Sequence, residues 1–419
     1  MNKYLIEGGE KITGEIKVQG AKNSALPILA ASIMCSGESV IGNCPDLSDI
    51  DAARNIIDYL GCNTTADGHV TTIRTAGLSK SDIPTHLMRE MRSSIVFLGA
   101  ILAKTGRARI SFPGGCELGP RPIDLHIYGL KRLGAEITED HGYIDCSLPN
   151  GLTGAHIALS FPSVGATENV MIAATLAKGE TSISNAAREP EIVDLANYLN
   201  ACGAKIRGAG ESTIYISGVQ ELRAAAHEVI PDRIVAATFL CAATVTKGEI
   251  LLKGMQSRHI GAILPVLEQA GCKIILSNNS IYLKNSSRPK AIQTVRTMPY
   301  PGFPTDAQAP IMAVATIADG ASIFVENIFE NRFKHVAELT RLGAKIKLEG
   351  RVAVVEGVPA LYSASVDCTD LRGGAALVVA ALAAEGVTEI NGVRHIDRGY
   401  ERMEDTLKAL GARITRVEE

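Results

Sequence analysis

Cys116 lies in the stretch Phe112-Pro113-Gly114-Gly115-Cys116-Glu117-Leu118-Gly119-Pro120-Arg121-Pro122. Its three glycines and three prolines exclude a regular helix or strand, so the stretch reads as a loop with special backbone needs. A thiol near the permanent cation Arg121, in an exposed loop, is more acidic than a free thiol and a better proton donor or nucleophile. A turn with a merely small residue at position 116 fits the same pattern, and both readings stand at this point.

Further charged residues fall at regular places in the chain. Counting back fourteen from Gly37, Gly106, Gly179, Gly248, Gly320 and Gly386 reaches Asn23, Arg92, Gly165, Ile234, Asp306 and Arg372. Ser, Asp, Asn and Thr around these positions, Ser163 and Thr369 among them, suit the caps of buried helices. Capping does not explain Lys22, Arg92, Arg233 and Arg372, because a cation at a helix entrance opposes the helix dipole. Such cations make sense where an external anion completes the site. If the six entrances face one cleft, they form a receptor for phosphate and carboxylate. Asp306 stands apart as a carboxylate able to take a proton from a substrate hydroxyl.

The elements that must position these residues repeat along the chain. An apolar residue, Gly, a small residue and a later apolar one recur around Gly61, Gly134, Gly203, Gly271, Gly343 and Gly411, at spacings between 68 and 73 residues. Each copy predicts a helix ended by glycine and followed by a strand. In step with it, alanine-rich helices are predicted to end at the six glycines from Gly37 to Gly386. Each unit then reads strand, helix, strand, helix, strands. The alanine-rich helix is apolar nearly all round and should be buried, whereas helices such as Ile192–Leu199 are amphipathic and should face solvent. Three units in each of two similar domains is the natural grouping. Residues 1–21 look like the missing end of the sixth unit. The expectation is therefore a split domain, 1–21 with 230–419, and a continuous one, 22–229, carrying the 112–122 loop.

Composition narrows the class. Charged residues at 21% and hydrophobic ones at 46% describe a soluble globular protein. A net charge of −3 provides no basic field for nucleic acid, so any anionic substrate must be met by local cations. No signal peptide or membrane span is read, and the apolar run Gly373 to Ala384 is too short to cross a bilayer. The nine cysteines lack CxxC pairs or zinc spacing, and the histidines are not grouped at ligand spacing, so no metal site is read. Cys35, Cys202, Cys241 and Cys272 fall in apolar helical patterns, as small hydrophobes of a reduced, cytoplasmic protein.

Six motifs in order give the chain a resemblance over essentially its full length. They are Gly20-Ala21-Lys22-Asn23, Pro113-Gly114-Gly115-Cys116 with Arg121-Pro122-Ile123-Asp124-Leu125-His126, Val164-Gly165-Ala166-Thr167, Phe303-Pro304-Thr305-Asp306, Phe329-Glu330-Asn331-Arg332 and His395-Ile396-Asp397-Arg398-Gly399-Tyr400-Glu401. With them the sequence resembles the UDP-N-acetylglucosamine 1-carboxyvinyltransferase (enolpyruvyl transferase) family. The resemblance implies an α/β (α+β) fold, a two-domain inside-out barrel of six βαβαββ repeats.

It also implies transfer of the enolpyruvyl group of phosphoenolpyruvate to the 3-hydroxyl of UDP-N-acetylglucosamine, a committed step of peptidoglycan precursor synthesis. Neither a cofactor nor a metal is implied. By resemblance Lys22, Arg121 and Arg398 would bind phosphoenolpyruvate, with Asn23 beside Lys22 and with Arg92 and Arg372 adding positive field. Asp306 would take the sugar hydroxyl proton and Cys116 would protonate C3; a covalent phosphoenolpyruvate adduct on Cys116 stays open. Arg121, Pro122, Ile123, Asp124 and Leu125 would hold the uridine. Ser163, Val164 and Gly165 would follow the diphosphate, and Ile328 would lie near the sugar. Phe161 departs from the family pattern, which often has lysine there. The sister enolpyruvyl transferase of aromatic biosynthesis is the nearest rival, disfavoured by the Cys116 loop and the run Arg121–His126. An RNA-processing enzyme built on similar repeats is disfavoured by neutral charge and by aromatic residues at only 4%.

Overall fold

A computed structural model describes residues 2–112 and 123–418. One sheet pattern recurs six times. In it an edge strand runs parallel to its neighbour, which pairs antiparallel with a third strand, which pairs antiparallel with a fourth. Asp82–Ile83, Arg107–Ser111, Tyr143–Ser147 and Glu136–Asp140 show the order, with Ile83 beside Ile110 and Ile110 beside Ile144. Alternation along each strand sends these isoleucines to the buried face. Between the first and second strands lies an apolar helix, and between the second and third an amphipathic one. The unit is therefore βαβαββ.

The described residues divide into two compact units, 2–19 with 231–418 and 20–112 with 123–230. In the first, Lys3–Glu7 is inserted antiparallel between Val387–Asn391 and Arg413–Val417. Thr13–Lys17 runs parallel to Glu249–Lys253. The start of the chain thus completes two of that unit's three four-stranded sheets. In the second unit, Ala226–Glu228 returns beside Cys35–Gly42.

Each unit has its own apolar core, centred on the alanine-rich helices. Every residue of Arg233–Val245 is buried, as is all but the entrance of Thr305–Thr316 and Leu371–Ala381. These three helices pack on one another. In the other unit Phe97–Thr105 packs against both Lys22–Ser32 and Val164–Ala174. Alanine at the contacts brings helix axes close, while the leucines and isoleucines on either side fill the space towards the sheets. No helix among the described residues is long and apolar enough to cross a membrane.

The glycine repeat has a backbone cause. Gly61, Gly134, Gly203, Gly271, Gly343 and Gly411 all have φ between 94° and 103°, where a side chain is strained, and each turns an outer helix into its strand.

The other glycine series behaves differently from expectation. Only Gly106 caps its helix; the remaining five helices stop at Ser32, Ala174, Val245, Thr316 and Ala381, and the chain makes a short turn before the glycine. The second unit departs in another way. Its polypeptide forms Thr85–Glu90, breaks at the extended Met91, and resumes as the 3-10 turn Arg92–Val96 before Phe97–Thr105. Cys35 opens a strand and Cys202 and Cys272 follow helices, so of the four cysteines read as helical only Cys241 is inside one. All eight described cysteines are buried thiols.

Candidate active site

The positions reached by counting back from the glycines have one structural meaning. Asn23, Gly165, Ile234, Asp306 and Arg372 are each the second residue of a buried helix, and Arg92 opens the 3-10 turn. Two of the three entrances in the unit 2–19 with 231–418 are capped by aspartate. Asp232 accepts from the Ile234 and Val235 amides (2.8 and 3.0 Å). Asp370, rather than the expected Thr369, accepts from those of Arg372 and Gly373 (3.1 and 3.0 Å). Either carboxylate replaces water on donors the helix leaves open. At the third entrance Pro304 supplies no side-chain cap, and Asp306 stands in the first turn where negative charge suits the dipole.

Asp306 lies between two arginines. Arg332 Nη2 donates to its Oδ1 at 2.9 Å, and Arg372 Nε and Nη2 donate to its Oδ2 at 3.3 and 3.2 Å. The arginine side chains are nearly sealed, at 3% and 4% exposed, whereas Asp306 keeps 27%. The carboxylate is therefore the accessible member of the cluster. Arg372 Nη1 also donates to the Tyr400 hydroxyl (3.3 Å), which is 2.8 Å from Thr238 Oγ1. Burial works against the Arg372 charge, but Tyr400, Asp306 and Asp232 outweigh it and move its pKa up. Arg332 Nη2 reaches the Thr305 carbonyl as well, at 3.3 Å.

Arg398 and Ile328 belong to the same unit. Arg398 is half-buried in the turn 396–400, whose end is fixed by Gln19: its amide donates to the Gly399 carbonyl (3.3 Å) and its oxygen accepts from the Glu401 amide (2.9 Å). The preceding residue, Asp397, is gripped by Arg416 through two bonds of 2.6 and 3.0 Å. Ile328 sits in a turn whose amide donates to buried Glu326 at 2.8 Å. Arg233 lies with its guanidinium 5.6 Å from the Tyr300 ring centre.

In the unit 20–112 with 123–230, Lys22 opens its helix and its ammonium pairs with Asp49 at 2.5 Å. Both side chains are buried. Asn23 follows on the same turn. Ser163 is the N-cap of Val164–Ala174 and accepts from the Ala166 amide at 3.3 Å, so the capping reading holds for it. Gly165 lies against His126: a side-chain carbon built at 165 would approach the ring within 3.0 to 3.2 Å. Ile123 precedes the helix Asp124–Arg132, where Asp124 and Leu125 form the first turn. Burial, together with Glu191 and Glu189, holds the Glu168 carboxyl well above the usual range. Phe161 is exposed. Cys116, Arg121 and Pro122 lie outside the described residues.

Two readings of the sequence change here. Lys22 and Arg372 do not wait for an external anion to balance them, because Asp49 and Asp306 already do so. At these two dipole-positive entrances the cation is tolerated because a carboxylate from another segment reaches it. Asp49 and Glu326 gave no signal in the sequence beyond being acidic. Arg332 stood inside a recognised motif but had no role until its bond to Asp306 was seen.

Comparison with known proteins narrows the assignment. A family model described as EPSP synthase (3-phosphoshikimate 1-carboxyvinyltransferase) matches residues 6–407. A UDP-N-acetylglucosamine 1-carboxyvinyltransferase 2 of Caldanaerobacter subterraneus subsp. tengcongensis is 51% identical, with all of both chains covered. The chain belongs to the UDP-N-acetylglucosamine 1-carboxyvinyltransferase family. A UDP-N-acetylglucosamine 1-carboxyvinyltransferase of Trichlorobacter lovleyi is 50% identical, again over the whole of both chains. Among solved structures, the enolpyruvyl transferase NikO from Streptomyces tendae superposes with a TM-score of 0.89 at 24% identity, covering 99% of each chain. EPSP synthase from Acinetobacter baumannii gives 0.76 at 18%, covering both chains fully. These two carry the fold alone, the enolpyruvyl transferase fold, and a carboxyvinyltransferase is the enzyme class to which this family member belongs.

Proposed function

We infer that the protein transfers the enolpyruvyl group of phosphoenolpyruvate to the 3-hydroxyl of UDP-N-acetylglucosamine in the cytoplasm, releasing phosphate and beginning peptidoglycan precursor synthesis. One observation carries the reading: relatives named for this nucleotide sugar share half of the sequence over the full chain. The Asp306 cluster supports it, since an accessible carboxylate backed by two buried guanidiniums suits a reaction that moves both a proton and a phosphate charge.

In this reading the sugar oxygen attacks C2 of phosphoenolpyruvate and its proton passes to Asp306. The thiol of Cys116 delivers a proton to C3. The resulting ketal loses phosphate from C2 and a proton from C3, restoring the double bond as an enol ether. Lys22, Arg121 and Arg398 hold the phosphate and carboxylate of phosphoenolpyruvate, with Asn23, Arg92 and Arg372 around them. Pro122, Ile123, Asp124 and Leu125 hold the uridine, Ser163, Val164 and Gly165 the diphosphate, and Ile328 the sugar.

The test is phosphate release from phosphoenolpyruvate with each acceptor. UDP-N-acetylglucosamine should support it and shikimate 3-phosphate should not; the reverse pattern overturns the reading. Asp306→Ala should abolish turnover while still binding the nucleotide sugar, and normal turnover removes Asp306 from the role of base.

A further inference from the structure

Glu326 is fully buried, and its carboxylate has no cationic partner among the described residues. Four neutral donors surround it instead. Oε1 accepts from Thr297 Oγ1 (2.9 Å), the Ile328 amide (2.8 Å) and the Phe329 amide (3.1 Å). Oε2 accepts from Thr305 Oγ1 at 3.0 Å. Thr297 reinforces the same turn, since its hydroxyl accepts from the Asn327 amide at 2.8 Å and its carbonyl from the Asn327 side chain at 3.1 Å.

A buried carboxylate without a counter-charge is expensive, and a turn alone could be closed by a neutral Asn or Ser. What the carboxylate adds is reach. Its four acceptor sites join three segments at once: the strand end at Thr297, the turn 326–329, and the entrance of Thr305–Thr316. That entrance lacks a side-chain cap from Pro304. Thr305 immediately precedes Asp306, and the turn leads to Arg332, which bonds both Asp306 and the Thr305 carbonyl. Glu326 therefore fixes the Asp306–Arg332 pair from both sides without touching either side chain.

We propose that Glu326, acting through the Thr305 hydroxyl, is a positioning residue that sets the direction of the Asp306 carboxylate. The proposal rests on Asp306 being the base. Removing the Thr305 hydroxyl leaves the turn 326–329 bonded to Oε1 and releases only the entrance carrying Asp306.

Steady-state kinetics of Thr305→Val, with nucleotide-sugar binding measured separately, test this. Displacing the base should lower kcat about 10- to 100-fold while KM for both substrates moves less than about threefold. Thr305→Ser should recover kcat to within about threefold. Glu326→Gln, which keeps one oxygen for the turn and offers an amide to Thr305, should fall between them. Wild-type kcat in Thr305→Val overturns the proposal, as does a loss that Thr305→Ser does not recover or that appears equally in KM. If Thr305→Val does not fold, Thr305→Ala takes its place with the same expectations. Asp306→Ala run in parallel separates the two ideas: an active Asp306→Ala removes the base, whereas an inactive one beside a fully active Thr305→Val removes only the positioning role.

Discussion

Lowering the pH from 7 to 5 should destabilise the protein through His126. The ring is 7% exposed, and its Nδ1 lies 2.9 Å from Asn169 Nδ2. Asn169 cannot turn over to accept, because its Oδ1 already takes the Gly99 amide at 2.6 Å and its Nδ2 donates to the Ile95 carbonyl at 2.8 Å. Nδ1 is therefore an acceptor, the ring is neutral, and a proton added there would face another N–H. Burial lowers the His126 pKa to about 4 against an opposing pull from Asp124. With an ordinary value of 6.5 in the unfolded chain, the unfolded state binds more protons throughout the window from 6.5 down to 4. The stabilisation is complete above 6.5 and is lost as pH falls towards 4. At pH 5 the loss is about 2 kcal/mol. Urea unfolding of the wild type and His126→Gln at both pH values isolates this term, since His335, also lowered to about 4 by burial, titrates in both proteins. The fall in stability should be smaller in His126→Gln by about that amount. Equal falls, or an NMR titration placing the His126 ring near 6.5, refute the reasoning.

Three other perturbations follow from the same kind of reading. Arg416→Ala removes the grip on Asp397 and on Glu404 (2.7 Å), so stability should drop by about 2 kcal/mol and KM for phosphoenolpyruvate should rise about tenfold through a loosened Arg398; an unchanged KM in calorimetrically destabilised protein separates Asp397 from Arg398. Asp49→Asn should raise KM for phosphoenolpyruvate about fivefold because the Lys22 ammonium loses the partner that aims it; a fall in KM would mean that Asp49 only competes with substrate. Cys116→Asp should keep more turnover than Cys116→Ala, because a carboxylic acid also donates a proton; equal loss in both rules out proton donation at that position.

Much of the fold was legible because its constraints are local. A left-handed turn is possible at low cost only for glycine, so six turns of one kind left six glycines at near-constant spacing. The buried helices announced themselves by alanine and by the lack of a polar face. Their entrances could be found by counting, and five of the six positions proved to be the same residue of the helix. Helix ends were less legible, since Gly179 and Gly320 serve the turn into the strand and nothing in Leu176 or Ile317 forbids another helical residue. The break at Met91 was hidden for the same reason: Thr85–Thr105 contains no proline and nothing at Met91 that forbids a continuous helix. Partners were least legible of all. Asp49 is 27 residues from Lys22, and Arg372 is 66 from Asp306. Only the assembled unit brings such charges together, and local pattern carries no record of it.

Those internal pairs alter how the proposed anion binding at the helix entrances would work. A cation waiting unpaired in a buried entrance would bear the full cost of desolvation before any substrate arrived. Paired with a carboxylate, it is held charged and aimed, and the substrate has only to replace one partner by a better one. If Lys22 holds phosphoenolpyruvate as proposed, the phosphate has that advantage there, with more charge than Asp49 and three oxygens to share. The Asp306 cluster goes a step further if Asp306 is the base. Taking up the sugar proton as the ketal forms would neutralise the carboxylate that holds Arg332 and Arg372, so two guanidiniums would already be released from it when phosphate departs in the following step. Proton transfer and phosphate stabilisation are then coupled through one side chain. Arg372→Lys, which keeps the charge but forfeits the paired Nε and Nη2 contacts, should slow phosphate loss more than nucleotide-sugar binding, with accumulation of the ketal in quenched-flow samples. Equal slowing of ketal formation and breakdown would show that the arginine acts only as a fixed charge.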